Sequence, residues 1–185
     1  HLSSTVGDLF PVKEICRIAR ERGILSLVDG AQSFGLLDVN LADISPDFYT
    51  GSAHKWPCGA RECGVLFISQ RSHDKIWPSI YSAYPGAVGI SKTFESLGQR
   101  DEATMIAFRE AVQFQTTVGR AAIEQRARAL AQRIIAGLSQ LPGVKVWTSP
   151  NPALNGAVVS FLPGTLNPQR LGQVLYEKDK IGLAG

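Results

Sequence analysis

The sequence predicts an α/β fold built on a mainly parallel sheet, and three observations carry that prediction. Short apolar runs at ILSLV (24–28), around Phe48 to Thr50 and at GVLFIS (64–69) have the length and composition of strands. A stretch with helical spacing, Val12, Ile15, Cys16 and Ala19, precedes the first of them. Chemically capable side chains follow two of these runs at their carboxyl ends, where open α/β sheets bind ligands: Asp29 after the first and Ser52 to Lys55 after the second.

The elements follow in order. Asp8 and Pro11 stand before the first helix and Gly23 stops it. ILSLV reads as a buried strand ending at Asp29, and ADISPDFYTGS leads through the second strand. From Asp101 the pattern turns helical, with Ala103, Ala107, Ala111, Phe114 and Val118 on one face until Gly119 interrupts. A second helix places Ile123, Ala127, Leu130, Ile134, Leu138 and Leu141 together before the LPG stop. VKVWTS and AVVSFLP read as strands, and NPQRLGQVLYEKDKIGL as a helix capped by Asn167 with Pro168 at its first position. The expected division is residues 1–118 as part of a large domain. Residues 119–185 would be a linking helix and the start of a smaller α+β C-terminal domain.

Composition narrows the function. A chain of 185 residues, 44% hydrophobic, can bury a real core. A net charge of +3 with 19% charged residues is too weak a basic excess to argue for nucleic acid. Arg120, Arg126, Arg128 and Arg133 read as a solvated helix face. Cys16, Cys58 and Cys63 are an odd number of cysteines without a secretory leader, which points to reduced, structural thiols in a cytoplasmic setting. Their spacing, and that of His1, His54 and His73, does not suit zinc. No apolar run approaches the roughly 18 residues of a membrane span. His1 and the final KIGLAG suggest a piece of a longer protein.

Three elements can carry chemistry. Asp29 closes an apolar strand, where a carboxylate needs a cation or a donor; its plainer role is to cap the turn GAQSFG. Lys55 follows His54 at the end of DFYTGSAHKW. A lysine partly desolvated or beside a cationic group has a lowered pKa, and its neutral amine can attack a carbonyl to form a Schiff base; its plainer role is an exposed turn. Ser52, Ala53 and His54 place a hydroxyl, a small residue and an imidazole beside exposed backbone N–H groups, a setting suited to phosphate.

In this order and spacing, VDGAQSFG, DFYTGSAHKW and GVLFIS resemble the large-domain core of class V aminotransferases, the pyridoxal phosphate (PLP) enzymes of fold type I. Cysteine desulfurases, selenocysteine lyases and isopenicillin N epimerase-like proteins are among them. The resemblance runs from HLSSTVGDLFPVKEI to the helix at 120–141 and weakens beyond Pro142. It implies a PLP-dependent transferase-like large domain, an amino-acid substrate and a homodimer with active sites at the subunit interface. It further implies that Lys55 holds the cofactor as a Schiff base and shuttles the substrate's α-proton. Asp29 would pair with the pyridinium nitrogen, Gln32 would donate to the ring's phenolic oxygen, and Ser52 and His54 would bind the phosphate. The chemistry implied is transamination, carbon–sulfur cleavage or epimerisation. A non-catalytic relative serving as a binding or scaffold module is the alternative.

The sequence departs from the family pattern in places. The turn after the lysine reads GARECG where relatives read close to GPxGxG, so Ala60 and Glu62 replace Pro and Gly. Gln99 stands where relatives often carry a threonine that reaches the neighbouring subunit's phosphate. PGAVGISKT (85–93) misses the phosphate-loop spacing and reads as a loop near the active-site entrance.

Overall fold

A computed structural model describes residues 1–80, 90, 94, 98 and 100–184. Gln99 and, apart from Ile90, the segment 85–93 lie outside the described residues. The chain divides into two compact units: His1 with Pro11–Ile123, and Leu2–Phe10 with Glu124–Gly185.

In the first unit, α1 (Val12–Glu21) turns its Val12 and Cys16 inward and ends before Gly23, which takes the left-handed φ of 66° that its stop position requires. The sheet contains β1 (Leu27–Asp29), β2 (Phe48–Ser52) and β3 (Gly64–Ile68) in the order β1-β2-β3. Strands β1 and β2 run parallel, with Leu27 opposite Phe48 and Asp29 opposite Thr50. Strand β3 runs antiparallel to β2. The described sheet is therefore mixed rather than mainly parallel. The reason is local: the loop 53–63 turns straight back, fastened by Ala53 N–H on the Cys63 carbonyl at 2.9 Å, and a returning neighbour needs no crossover helix.

Between β1 and β2 the chain makes α2 (Leu41–Ile44), capped by the Asn40 side chain on the amides of Ala42 and Asp43. The core gathers Val12, Cys16, Val28, Ile44 and Tyr49, with Phe34, Val39 and Leu41 packed against it. The run ILSLV is only partly a buried strand. Val28 is 5% exposed whereas Leu27 is 64% exposed, because side chains alternate across the pleat and α1 and α2 supply apolar cover for only one face.

Helix α3 (Glu102–Val118) is capped by Asp101 on the amides of Ala103 and Thr104. It buries Ala111 from the expected stripe and, outside it, Gln115; Phe114 is 62% exposed. Two specific contacts turn the helix this way. Gln115 Nε2 donates to the Trp56 carbonyl at 2.8 Å, and Phe108 meets Phe34 edge-on with centroids 6.3 Å apart.

Helix α4 (Arg120–Leu138) starts after Gly119. It buries Ala131 and Ile135, one residue round from the expected Leu130 and Ile134, which are 41% and 50% exposed. In the second unit β4 (Lys145–Val146) pairs antiparallel with β5 (Phe161–Leu162). Helix α5 (Pro168–Asp179) carries Asn167 as cap, its side chain accepting from the Arg170 amide at 3.0 Å. Arg128 does not belong to a solvated face. Its side chain is 23% exposed, pairs with Glu124 at 2.7 Å and donates to the carbonyls of Pro152, at 2.9 Å, and Asn155. Among the described residues no helix is long and apolar enough to cross a membrane.

Candidate active site

Parallel pairing puts the carboxyl ends of β1 and β2 on one edge of the sheet, and the candidate residues cluster by chain position along it. Asp29 ends β1. Its Oδ1 accepts the Ala31 amide at 2.8 Å, and among the described residues no donor meets Oδ2. Gly30 continues the ladder by donating to the Thr50 carbonyl at 2.9 Å. A Cβ at position 30 would stand 2.1 Å from the Tyr49 ring, so only glycine lets the turn close against β2. Ser33, fully buried, then meets the Tyr49 hydroxyl at 3.1 Å. Burial pushes the Tyr49 phenol up, with the Asp29 charge adding to the rise and the Ser33 hydrogen bond opposing it. The open end of β1 therefore carries its charge within electrostatic reach of β2.

Ser52 ends β2 opposite Gly64. The chain then turns on Ala53, which is fully buried, and lifts His54 and Lys55 to the surface. The turn is held by its backbone: Cys58 N–H donates to the Lys55 carbonyl at 3.0 Å and Gly59 N–H to the Ala53 carbonyl at 2.7 Å. Among the described residues the Lys55 amine and the His54 ring have no hydrogen-bond or ion-pair partner. The departure GARECG leaves its mark on the backbone, since Glu62, standing where relatives carry glycine, takes a φ of 60°, a region that glycine enters without cost.

Gln32 stands one turn beyond Asp29, and its Oε1 accepts the Trp56 indole N–H at 3.0 Å. Neither Trp56 nor Gln115 stands out in the sequence reading. The available signal was the tryptophan directly after Lys55, because a half-buried indole N–H needs an acceptor.

The set offers an open carboxylate, an amide donor, a hydroxyl, an imidazole and an unpaired amine. Those are the groups a charged, phosphorylated, aldehyde-bearing ring requires, so the donor set fits such a cofactor. A separate apolar cavity of about 440 Å³ lies among Phe34, Val39, Tyr49, Phe67, Val112 and Arg120. None of the candidate residues lines it, and its mostly hydrocarbon walls offer no comparable chemistry.

The family model described as Aminotransferase class-V matches residues 1–185. Isopenicillin N epimerase of Streptomyces clavuligerus is 32% identical over 100% of this chain and 50% of its own length. A probable cysteine desulfurase of Halalkalibacterium halodurans is 30% identical over 95% of this chain and 44% of its own. Among solved structures, the apo cysteine desulfurase of Thermococcus onnurineus NA1 superposes with a TM-score of 0.86 at 27% identity, covering 96% of this chain and 46% of that one. A lysine-to-alanine mutant of C-DES, with glycine covalently linked to its PLP cofactor, superposes with a TM-score of 0.83 at 26% identity, over 100% of this chain and 51% of that one. The chain thus spans about half the length of the relatives it matches.

Proposed function

Because the chain belongs to the aminotransferase class-V family, we propose that it is part of a pyridoxal phosphate enzyme acting on an amino acid, with Lys55 as the amine that grips the cofactor's aldehyde carbon. One observation carries the reading: Asp29 and the Ser52 to Lys55 turn leave neighbouring parallel strands at the same sheet edge, with Asp29 in register with Thr50. When bound, PLP supplies an electron sink for the bonds of the substrate's α-carbon.

The chain's own residues do the rest. Asp29, with Oδ2 open, receives a ring N–H and keeps that proton in place. The Gln32 amide donates to the phenolic oxygen. Ser52 and His54 take the phosphate together with the turn's backbone N–H groups. Lys55, free of any partner among the described residues, would hold the cofactor's aldehyde carbon and, as a neutral amine, would serve as the general base for the α-proton. Arginine could not replace it, since a guanidinium does not deprotonate near neutral pH. Substrate and branch, whether transamination, carbon–sulfur cleavage or epimerisation, belong to the whole protein, which we propose to be a cytoplasmic homodimer.

The test is colour and covalent capture. Full-length protein mixed with PLP should gain near-visible absorbance, and borohydride should fix the cofactor on the peptide carrying Lys55. Lys55→Ala should lose both. Equal reduction and fixation in the alanine variant would end the assignment.

A further inference from the structure

The groups in the proposed site have one feature that their own chemistry does not explain. Gln32 must present a donor, yet a primary amide is nearly symmetric and offers an acceptor just as readily. The structure removes that ambiguity. Trp56 Nε1 donates to Gln32 Oε1 at 3.0 Å. An indole N–H has no acceptor capacity, so whichever amide atom faces it must be the oxygen. The Gln32 NH₂ group is thereby left as the free end, and among the described residues nothing accepts from it.

Trp56 is itself held from behind. Gln115, 9% exposed on α3, donates Nε2 to the Trp56 carbonyl at 2.8 Å. A buried polar side chain on a helix face is costly unless bonded, and this bond is what Gln115 obtains. Trp56 also follows Lys55 directly, so the same contact steadies the backbone from which the lysine projects.

We propose that Trp56 is a positioning residue: its indole orients the Gln32 amide so that the NH₂ group faces the cofactor, and Gln115 on α3 anchors it. The proposal rests on the PLP reading and deepens it, adding the chain Gln115 to Trp56 to Gln32 behind the cofactor's phenolic oxygen. A donor held against an anionic oxygen favours loss of the proton that oxygen shares. Without the donor, the pH midpoint of the near-visible band rises.

The experiment is a pH titration of that band in the full-length, PLP-loaded protein. Trp56→Phe keeps an aromatic ring but removes the indole N–H together with its five-membered ring. It should move the midpoint upward by about half a pH unit to one pH unit, as expected for weakening one hydrogen bond to a charged group. Gln32→Ala should shift it in the same direction and at least as far, and the double variant should shift no further than Gln32→Ala alone. Gln32→Glu supplies a second route, because its carboxylate can still accept from the indole but has no donor left; its midpoint should also rise. A wild-type midpoint in Trp56→Phe, or a double variant that adds the two single shifts, overturns the proposal. Failure of the PLP reading would look different: the band itself would survive Lys55→Ala. A structural role for Trp56 would change thermal stability and cofactor affinity but would not produce a shift that vanishes in the Gln32→Ala background.

Discussion

Two aspartates stand at opposite ends of the same three-stranded sheet, and their surroundings differ in a way that separates architecture from chemistry. Asp47, just before β2, is 5% exposed and fully engaged. Its Oδ2 accepts the Ser26 amide and hydroxyl, both at 2.9 Å, while its Oδ1 accepts Arg71 Nε at 2.9 Å and the Ser72 hydroxyl at 2.8 Å. Asp29, at the far end of β1, is exposed and accepts one amide. A saturated carboxylate fastens strands together and has no capacity left for a ligand. A carboxylate with an open oxygen at the carboxyl edge of a parallel pair has the capacity for a ligand that the proposed function asks of it.

The contrast breaks most sharply at Asp29. Asp29→Ala in the full-length protein should lower kcat/KM roughly 10²–10³-fold, the scale of losing one preorganised electrostatic partner of a reacting centre. It should cost no more than about 1 kcal/mol of stability, because only the Ala31 amide loses its acceptor. Asp47→Ala should do the reverse. It removes the acceptor of Ser26 and of the buried Ser72, and the ion-pair partner of Arg71, which keeps its bonds to Ser45, and should cost about 2–4 kcal/mol in denaturant unfolding, with the near-visible band of the folded fraction unchanged. A catalytic loss at Asp47 without loss of stability would undo the distinction.

The sequence reading singled out one of these aspartates and passed over the other, for a physical reason. Asp29, Gln32, Ser52, His54 and Lys55 were singled out because the resemblance asks for those types at that spacing, and the parallel pairing of β1 and β2 sets the ends of the strands carrying Asp29 and Ser52 side by side. Asp47 was not, since its partners Ser26, Arg71 and Ser72 come from separate stretches of chain that only folding brings together. Gln115 and Arg128 escaped on the same ground: hydrophobic periodicity assigns a polar residue to the solvent face, and only the acceptors at Trp56, Pro152 and Asn155 explain why each is turned inward. Two helix starts read well, because Asp101 and Asn167 cap through amides two or three residues away, whereas the helices expected over 120–141 and 167–183 stop earlier, at Leu138 and Asp179. Helix faces slipped by about one residue, as on α4, since the periodic pattern locates a stripe but not its centre.

The subtlest prediction concerns acid. Burial alone would raise the Asp47 carboxyl, but donors from Ser26, Ser72 and Arg71 outweigh it and hold the group at about 2 in the folded chain, below an ordinary 3.8. A carboxylate whose folded pKa is depressed binds fewer protons than its unfolded counterpart at intermediate pH, so its stabilisation is complete above the ordinary value and fades as pH falls toward the folded one. Unfolding free energy should therefore drop by about 2 kcal/mol between about pH 4 and pH 2 on account of this residue. Asp47→Asn, which keeps the shape but not the titrating group, should be less stable at neutral pH and show a shallower fall over that window in urea titrations at stepped pH. Should the variant reproduce the wild-type slope, the acid sensitivity resides in other carboxylates, and Asp47 is held by its hydrogen bonds rather than by its charge.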